Sequence, residues 1–490
     1  MNAIWNSLNP QQREAVAQTE GPLLILAGAG SGKTRVIVHR IGYLIDALGV
    51  SPFRIMAVTF TNKAAQEMRE RVGRLISPEK VQGLLISTFH SACLRILRRH
   101  INHLGYKNDF VVYDAADQLA LVKSCMASHE INEDLYPPRM LAAKISRLKH
   151  QLIDPAQYAE EAAEYGSGAA LRNVYSLYQE RLAALQGVDF DDLIALTIRL
   201  FETVPEVLHA YRERFHYIMV DEYQDINHAQ YRLIRLLTSA RRNLCVVGDD
   251  DQSIYAFRGA DIENILSFER DFPDAKVVVL NQNYRSTGTI LSAASAVIEK
   301  NGRRKNKTLW TENREGEPII WRQVESEVEE AASVRRTIQE LQESEGRSLS
   351  NFCILYRTNT QSRVIEEALR DGGIPYFIFG GLRFYERKEI KDLIAYLRLI
   401  VYPDDELSLR RVINLPQRGI GPVTLDRLTR FADSARISLL EAVGRSAEAD
   451  GETGISRSAI RGLTAFLRLL ETLQAISESE PLPQLLRSLI

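Results

Sequence analysis

A glycine-rich loop that ends in lysine and threonine is the first group of residues in this chain that could do chemistry. The loop consists of Gly28, Ala29, Gly30, Ser31, Gly32, Lys33 and Thr34. It follows an apolar run typical of a buried strand and opens an amphipathic segment running toward Asp46. Glycines let backbone N–H groups surround phosphate oxygens, which a Cβ would obstruct. Lys33 could then reach the β- and γ-phosphates of a nucleotide, and the Thr34 hydroxyl could ligate Mg²⁺. The strict form of this phosphate loop has glycine at the position of Ala27.

Two acids form the second group. An apolar run over 215–220 ends in Asp221 and Glu222. After a buried strand, the first acid could hold Mg²⁺ and the second could polarise an attacking water. An acid pair alone is a weak signal, but together with the upstream phosphate loop it indicates a nucleoside triphosphatase.

The third group is a polar loop that follows an apolar run over 244–248. This loop offers the amide of Gln252 and the aromatic rings of Tyr255 and Phe257. The rings could be core residues, but they alternate with polar side chains at a strand end. That arrangement is typical of surfaces on which single-stranded bases stack.

These groups need a sheet to bring them together. Apolar runs over 55–60 and 84–88 also end in polar or aromatic residues. In a doubly wound parallel sheet, the carboxyl ends of the strands form the ligand crevice. From about 93 to 200 the pattern is mostly helical. A second α/β alternation then begins near 277, with strands predicted at 276–281, 318–324, 352–357 and 375–379, and the chain becomes helical again after Gly381.

Composition limits the class of protein. A chain of 490 residues is too long for one core, so several domains are expected. The net charge of −2 gives no global sign of nucleic-acid binding, so any basic surface must be local. Four scattered cysteines without a CxxC pair argue against zinc, iron–sulfur clusters or disulfides, and fit a reducing cytosol. No apolar run reaches about 18 residues, which predicts a cytoplasmic protein without a membrane span.

Seven ordered motifs carry a resemblance to a known family. They are LNPQQREAV, GAGSGKT, TFTNKAAQEM, TFHS, DEYQD, VVGDDDQSIYAFRGA and LNQNYRS. Together they resemble superfamily 1 DNA helicases of the UvrD/Rep/PcrA type. The resemblance implies an α/β P-loop NTPase with two RecA-like parallel-sheet domains, the first complete and the second partial, and with mostly helical inserted subdomains.

The predicted domains follow from that resemblance. The first RecA-like domain is expected at 1–92 and 201–276, with a helical insertion at 93–200. The second RecA-like domain is expected at 277–380, followed by a second, incomplete helical insertion at 381–490.

The resemblance also implies roles for further residues around ATP and Mg²⁺. Gln12 should read the adenine edge, Arg35 should lie beside the base, and Tyr284 should stack on it. Gln252 should sense the γ-phosphate and couple it to DNA, and Arg285 should reach the γ-phosphate as an arginine finger. The positions implied to contact DNA are Phe60, His90, Phe190, Tyr255, Phe257, Arg258, Arg357 and Asn359.

The activity implied is ATP-dependent 3′→5′ translocation on single-stranded DNA and unwinding of 3′-tailed duplexes in repair or replication. Two departures from the family pattern stand out. Phe257 occupies a position where well-known members have tryptophan. The family's last motifs, including a second arginine segment, are not found before Ile490, so we expect a truncated chain with little DNA-stimulated turnover.

Two other functions stay open at this point. The chain could be the motor portion of a helicase–nuclease, whose nuclease would follow the motor. It could also be a nucleotide- and DNA-binding module that has lost turnover. DNA-stimulated ATP hydrolysis separates the module from both motors, and the chain beyond Ile490 separates the two motors. A metabolic kinase is disfavoured, because it would need neither the TFHS motif nor the loop with Gln252.

Overall fold

The computed structural model describes residues 2–161, 166–305, 307–379, 388–448 and 455–489. The chain divides into two compact units, Met1–Glu317 and Pro318–Ile490. Among the described residues, no helix combines the length and the apolar character needed to cross a bilayer.

A six-stranded parallel sheet forms the centre of the first unit, with strand order β3-β2-β6-β7-β1-β8. Its strands are β1 Leu23–Ala27, β2 Ile55–Thr59, β3 Leu85–Thr88, β6 Tyr217–Val220, β7 Leu244–Gly248 and β8 Lys276–Leu280. Successive side chains point to opposite faces, so Leu24 and Leu26 enter one core while Leu23 and Ile25 enter another. Burial on both faces explains why these strands are nearly continuous apolar runs.

Fifteen helices of the first unit are described around this sheet and in the insertion within it. They are α1 Asn2–Trp5, α2 Pro10–Ala17, α3 Lys33–Gly42, α4 Asn62–Ile76, α5 Phe89–His100, α6 Ala115–Ser128, α7 Pro138–His150, α8 Pro155–Glu161, α9 Ser167–Ala184, α10 Phe190–Thr203, α11 Pro205–Arg214, α12 His228–Thr238, α13 Glu263–Leu266, α14 Phe268–Asp271 and α15 Gly288–Ile298. The sequence signals for helix starts are confirmed at α2, where Asn9 forms a capping box and Pro10 is the first helical residue, and at α4, where Thr61 caps.

The predicted helical insertion is mostly helical in the structure, but it also contains a two-stranded parallel sheet of β4 Val111–Tyr113 and β5 Gly187–Asp189. Its predicted limits at 93 and 200 fall inside α5 and α10. Both helices pack into the same apolar core as one face of the large sheet. The insertion is therefore continuous with the sheet domain through these two helices.

The prediction that a second domain begins at 277 is wrong in one respect, because β8 is an edge strand of the first sheet. It pairs with β1 in parallel register, from Leu23 opposite Lys276 to Ala27 opposite Leu280. The sequence identified the strand but could not identify its partner, since pairing between distant strands leaves no local pattern. The two compact units meet at 317/318, and the predicted domain limits otherwise stay a prediction.

The second unit is helical wherever the structure assigns regular secondary structure. Its α-helices are α16 Glu327–Glu345, α17 Ser362–Asp371, α18 Lys388–Val401, α19 Glu406–Val412, α20 Pro422–Ala435, α21 Leu439–Glu448, α22 Arg457–Ser479 and α23 Leu482–Leu489. Helices α18 to α23 share one apolar core. The predicted turn at Gly380-Gly381 lies outside the described residues.

The strands predicted at 318–324, 352–357 and 375–379 are not formed in the part of the chain that the structure describes. Their apolar character is real, but a strand also needs a hydrogen-bonded neighbour, and these segments have no regular secondary structure. Several of their side chains are largely exposed, including Trp321, Leu355 and Phe377. Residues of the last two segments line a cavity of about 750 Å³ beside α17.

Candidate active site

Four loops meet at the carboxyl edge of the large sheet, because neighbouring parallel strands end there. They follow β1, β6, β7 and β8, which are adjacent in the sheet order. The cavity between them has a volume of about 410 Å³. It is lined by Gly30, Gly32, Lys33, Thr34, Arg35, Arg71, Glu222, Gln252, Tyr284 and Arg285. Nine of these ten residues belong to the predicted site, and Arg71 is the addition.

The loop after β1 has the backbone of a phosphate cradle. Gly30 and Gly32 both have left-handed backbone, with φ of +67° and +89°. A Cβ on Gly30 would lie 2.8 Å from the Cβ of Arg285, and one on Gly32 would lie 2.9 Å from Nε2 of Gln12. Conformation and space thus both require glycine at these two positions. Helix α3 begins directly at Lys33, so its unpaired N–H groups face the cavity, as in anion sites at helix N-termini.

Lys33 and Glu222 lie against each other in the cavity, with 3.0 Å between Nζ and Oε2. Glu222 has a left-handed backbone with φ of +51°, which is uncommon for a residue with a side chain. Such conformations concentrate at functional sites. The carboxylate of Glu222 therefore lies at the wall of the cavity, beside the ammonium group of Lys33.

The residues predicted to hold Mg²⁺ fit a hard cation. Asp221 directly follows β6 and is 6% exposed, and its Oδ1 accepts a hydrogen bond of 3.1 Å from the backbone N–H of Glu222. Burial, together with the charge of Glu222, raises the pKa of Asp221 to about 7. A divalent cation would offset that unfavourable burial of charge. Carboxylate and hydroxyl oxygens, here of Asp221 and Thr34, are ligands that Mg²⁺ prefers.

Gln224 is a connecting residue that the sequence reasoning missed. It is 1% exposed, and its Nε2 donates to Oε2 of Glu222 at 3.0 Å and to Oδ2 of Asp225 at 3.1 Å. Its Oε1 accepts from the backbone N–H of Asp249 at 3.0 Å. One buried amide thus joins the acid pair to the loop that carries Gln252. The DEYQD run contains this glutamine, but nothing in its spacing indicated the contact across strands.

The residues predicted around the base are near the phosphate loop. Gln12 is fully buried, with Nε2 donating to the Ser31 carbonyl at 2.9 Å and Oε1 accepting from the N–H of Asn9 at 3.1 Å. Both ends of its amide therefore contact protein atoms, and its adenine-reading role stays a prediction. The ring of Tyr284 is 44% exposed, and its hydroxyl donates to Oε1 of Gln282 at 2.7 Å. Arg35 and Arg71 bring two guanidinium groups to the same cavity.

Arg285 is positioned through Asn283, which the sequence reasoning also missed. The Oδ1 of Asn283 accepts from the N–H of Arg285 at 2.9 Å and from that of Ser286 at 2.7 Å. Its Nδ2 donates to the carbonyl of Ala29 at 2.7 Å. The segment after β8 is thus fastened to the phosphate loop, with Arg285 at the cavity wall.

A second surface lies beside the cavity, and we call Phe60, Tyr255, Phe257 and Arg258 the aromatic surface. The rings of Phe60 and Tyr255 are stacked with centroids 4.8 Å apart, and those of Tyr255 and Phe257 are 5.9 Å apart. The Arg258 guanidinium lies 5.4 Å from the Tyr255 ring and 5.6 Å from the Phe257 ring. The Phe257 ring is 79% exposed, so it is not a core residue.

His90 and Phe190 form another aromatic pair, at the start of α5 and α10, with ring centroids 6.0 Å apart. Burial lowers the pKa of His90, opposed by the nearby charge of Asp191. Phe190 is 51% exposed. Because β3 is adjacent to β2 in the sheet, His90 and Phe60 follow neighbouring strands.

Arg357 and Asn359 lie in the second unit, at and just after the end of the segment 352–357, and both are exposed. The Arg357 N–H donates to Oε1 of Gln361 at 2.9 Å, and Asn359 begins a short 3₁₀ turn. Their predicted contact with DNA stays a prediction.

Comparisons with known proteins decide the family. The sequence profile of the UvrD/REP helicase N-terminal domain matches residues 8–273, and that of the UvrD-like helicase C-terminal domain matches residues 278–453. The chain belongs to the UvrD/REP helicase family. The predicted resemblance is thereby confirmed, as is the fold class, a P-loop α/β core in a mostly helical chain.

Two relatives carry the name ATP-dependent DNA helicase PcrA. The protein of Staphylococcus aureus (strain Mu50) is 49% identical over 480 residues, which are 98% of this chain and 64% of that protein. The protein of Staphylococcus epidermidis (strain ATCC 12228) is 48% identical over 480 residues, which are 98% of this chain and 65% of that protein.

The comparisons do not bear out the expectation of a truncated chain. The match to the relatives covers 98% of this chain, and both the N-terminal and the C-terminal UvrD domains are matched. The chain spans about two thirds of the length of these relatives. The expectation of little DNA-stimulated turnover stays a prediction.

Proposed function

We propose that this chain is an ATP-dependent DNA helicase motor that moves 3′→5′ along single-stranded DNA and opens 3′-tailed duplexes. The observation that carries the proposal is one loop shared by two surfaces. Gln252 of this loop lines the nucleotide cavity, and the last part of the loop supplies three of the four residues of the aromatic surface. The relatives are named ATP-dependent DNA helicases, which supports the same activity.

The cavity supplies the chemistry of ATP hydrolysis. Lys33 and the N–H groups of the phosphate loop bind the β- and γ-phosphates, and Glu222 takes a proton from the attacking water. Thr34 and Asp221 hold Mg²⁺, which, when bound, neutralises charge on the phosphates. Arg285 stabilises the charge that spreads over the γ-phosphoryl oxygens in the transition state.

The nucleotide base and the sensor complete the proposed site. Tyr284 stacks on the adenine, Arg35 lies beside it, and Gln12 positions the phosphate loop next to it. Gln252 lines the cavity, and its Nε2 donates one hydrogen to Oδ2 of Asp249. That hydrogen bond fixes the orientation of the amide group and therefore of its second hydrogen. We assign that hydrogen to the γ-phosphate.

Single-stranded DNA binds along the carboxyl edge of the sheet. Bases stack on the aromatic surface and on the pair of His90 and Phe190, since stacking tolerates every base. Arg258 adds a cation beside the two rings. Arg357 and Asn359, which are exposed in the second unit, are further residues that we propose to contact DNA. We propose a cytoplasmic location and a role in repair or replication.

Hydrolysis and unwinding assays test the proposal. The chain should hydrolyse ATP faster when single-stranded DNA is added, and it should separate a duplex with a 3′ tail in preference to one with a 5′ tail. A rate of hydrolysis that DNA does not change would overturn the motor function. Preference for the 5′ tail would overturn the direction alone.

A further inference from the structure

Three consecutive acids, Asp249, Asp250 and Asp251, stand between the nucleotide cavity and a segment that follows α15. Their carboxylate oxygens lie within 4.8 Å of one another, a spacing at which like charges repel. Asp249 and Asp250 are 2% and 4% exposed. Water therefore cannot screen them, and the cluster requires a counter-charge from elsewhere in the chain.

Lys307 supplies that counter-charge. Its side chain is 2% exposed, and its Nζ lies 2.8 Å from Oδ1 of Asp249 and 2.8 Å from Oδ2 of Asp251. It also contacts Oδ1 of Asp250. Burial opposes the charge of Lys307, but the three carboxylates outweigh burial and raise the pKa of its ammonium group. An ammonium with three hydrogens donates one to each of three acids, which is the full capacity of the group.

The same segment makes further contacts with the acids. Arg304 forms a two-pronged pair with Asp251, with Nε to Oδ1 and Nη2 to Oδ2 both at 2.9 Å. The backbone N–H of Lys305 donates to Oδ2 of Asp250 at 2.6 Å. We call residues 304–310 the strap, of which residue 306 lies outside the described residues.

The strap also reaches the phosphate loop. A Cβ on Gly28 would lie 2.2 Å from Cδ2 of Leu309, so the leucine packs directly on the loop backbone. The backbone N–H of Trp310 donates to the backbone carbonyl of Asn281 at 3.0 Å, and the backbone carbonyl of Trp310 accepts from the backbone N–H of Asn283 at 2.8 Å. The strap is therefore attached at both of its ends to elements that line the cavity.

Asp249 connects the strap to Gln252 and Glu222, the residues proposed to act on the nucleotide. One of its oxygens accepts from Nε2 of Gln252, while its backbone N–H donates to Gln224, which in turn donates to Glu222. Lys307 holds the other oxygen of Asp249. A continuous polar path thus runs from Lys307 through Asp249 to the sensor amide and to the acid beside the phosphates.

We propose that Lys307, assisted by Arg304, is a positioning residue that fixes the acid-rich loop so that Gln252 can distinguish ATP from ADP. The proposal rests on the proposed function of the cavity as an ATP site. Lys307 does not touch the nucleotide. It acts through Asp249, because only a neutralised acid cluster keeps that carboxylate in place to orient the amide of Gln252.

The experiment measures discrimination between nucleotides and does not depend on turnover. Dissociation constants for fluorescent ADP and for a fluorescent, non-hydrolysable ATP analogue are measured with Mg²⁺ in the unaltered chain, in Lys307→Met and in Lys305→Met. Lys305 is the matched control, because it is a strap cation whose side chain pairs with Glu269 rather than with the acids. Thermal unfolding checks that each variant is folded.

In Lys307→Met, the preference for the ATP analogue over ADP should fall by about tenfold, the factor that corresponds to losing one hydrogen bond to a charged group. The affinity for ADP should stay within about twofold, and Lys305→Met should keep the preference of the unaltered chain. If Lys307→Met does not fold, Arg304→Gln is the test variant, since Lys307 still pairs with Asp251 in it. The preference for the ATP analogue over ADP should then fall by about threefold, because this variant loses the guanidinium but keeps the ammonium group of Lys307.

An unchanged preference in Lys307→Met, or in Arg304→Gln where that variant is used, would overturn the proposal. An equal loss of affinity for both nucleotides would also overturn it, because that pattern indicates structural damage alone. If the unaltered chain binds neither nucleotide, the proposed function fails first, and the inference fails with it.

Discussion

Exchanging Glu222 for glutamine should separate nucleotide binding from hydrolysis. The substitution keeps the shape of the side chain but removes the base that takes a proton from water, which typically slows hydrolysis by about 10²-fold or more. The chain should still fold, because the glutamine carbonyl can accept from Gln224, as the carboxylate does at 3.0 Å. The Glu222 side chain is 34% exposed, so water can satisfy the new amide N–H groups.

The ion pair in the cavity sets the expected change in affinity. Lys33 Nζ lies 3.0 Å from the Glu222 carboxylate, so a phosphate must compete with Glu222 for Lys33. Because the pair is partly exposed, we assign it about 1 kcal/mol, as for other solvent-screened pairs. Glu222→Gln should therefore bind ATP about fivefold more tightly. Lys33→Ala should instead lose tight binding of ATP, because it removes the positive charge that Lys33 places beside the β- and γ-phosphates.

Titration with a fluorescent ATP analogue and single-turnover hydrolysis together measure both effects. Glu213→Gln is the matched control, because Glu213 also pairs with a cation, Arg241 at 3.1 Å, on the exposed surface. It should bind and hydrolyse ATP as the unaltered chain does. Equal loss of binding in Lys33→Ala and Glu222→Gln would refute the assignment of Glu222 as the base.

Three further predictions concern DNA, stability and the phosphate loop. Phe257→Ala should weaken binding of a fluorescent single-stranded oligonucleotide by about 1–3 kcal/mol, with little dependence on base, and unchanged affinity would exclude its ring from the DNA surface. Lys149→Met should lower the free energy of unfolding, measured with urea, by about 3–5 kcal/mol, because Asp189 at 2.6 Å would be left buried without its cation; a loss below 1 kcal/mol would contradict this. Gly49→Ala should cost about 1–2 kcal/mol of stability, since Gly49 has φ of +67° and a Cβ there would meet no atom within 4 Å. Gly30→Ala has the same φ but should cost more, because its Cβ would lie 2.8 Å from the Cβ of Arg285, and only this variant should lose ATP affinity.

The sequence predicted the parts of the site that a local pattern specifies. The phosphate loop, Asp221 and Glu222 each follow a buried apolar strand, and strand ends in a parallel sheet meet at one edge. That rule brought Gly30, Gly32, Lys33, Thr34, Glu222 and Gln252 into the predicted site, whereas Arg35, Tyr284 and Arg285 entered it only through the family resemblance. Helix caps such as Asn9 and Thr61 were predictable for the same reason, since a cap depends on the next three residues.

The missed features depend on contacts between distant segments. Lys307 lies more than fifty residues from the acids it neutralises, and nothing in the sequence around it distinguishes it from the neighbouring cations Arg303, Arg304 and Lys305. Arg71 looks like one more charge on the polar face of α4, although it lines the cavity. The unformed strand at 352–357 shows the opposite error, because apolar composition indicates a strand without showing that a partner strand is present.

The central claim is that one loop links the nucleotide cavity to the aromatic surface, and the most direct test is the affinity for single-stranded DNA in different nucleotide states. Oligonucleotide binding is measured with no nucleotide, with ADP and with a non-hydrolysable ATP analogue, each with Mg²⁺. The account predicts that the ATP analogue changes the DNA dissociation constant by about fivefold or more, the usual lower limit for coupled sites. The same DNA affinity in all three states would contradict it.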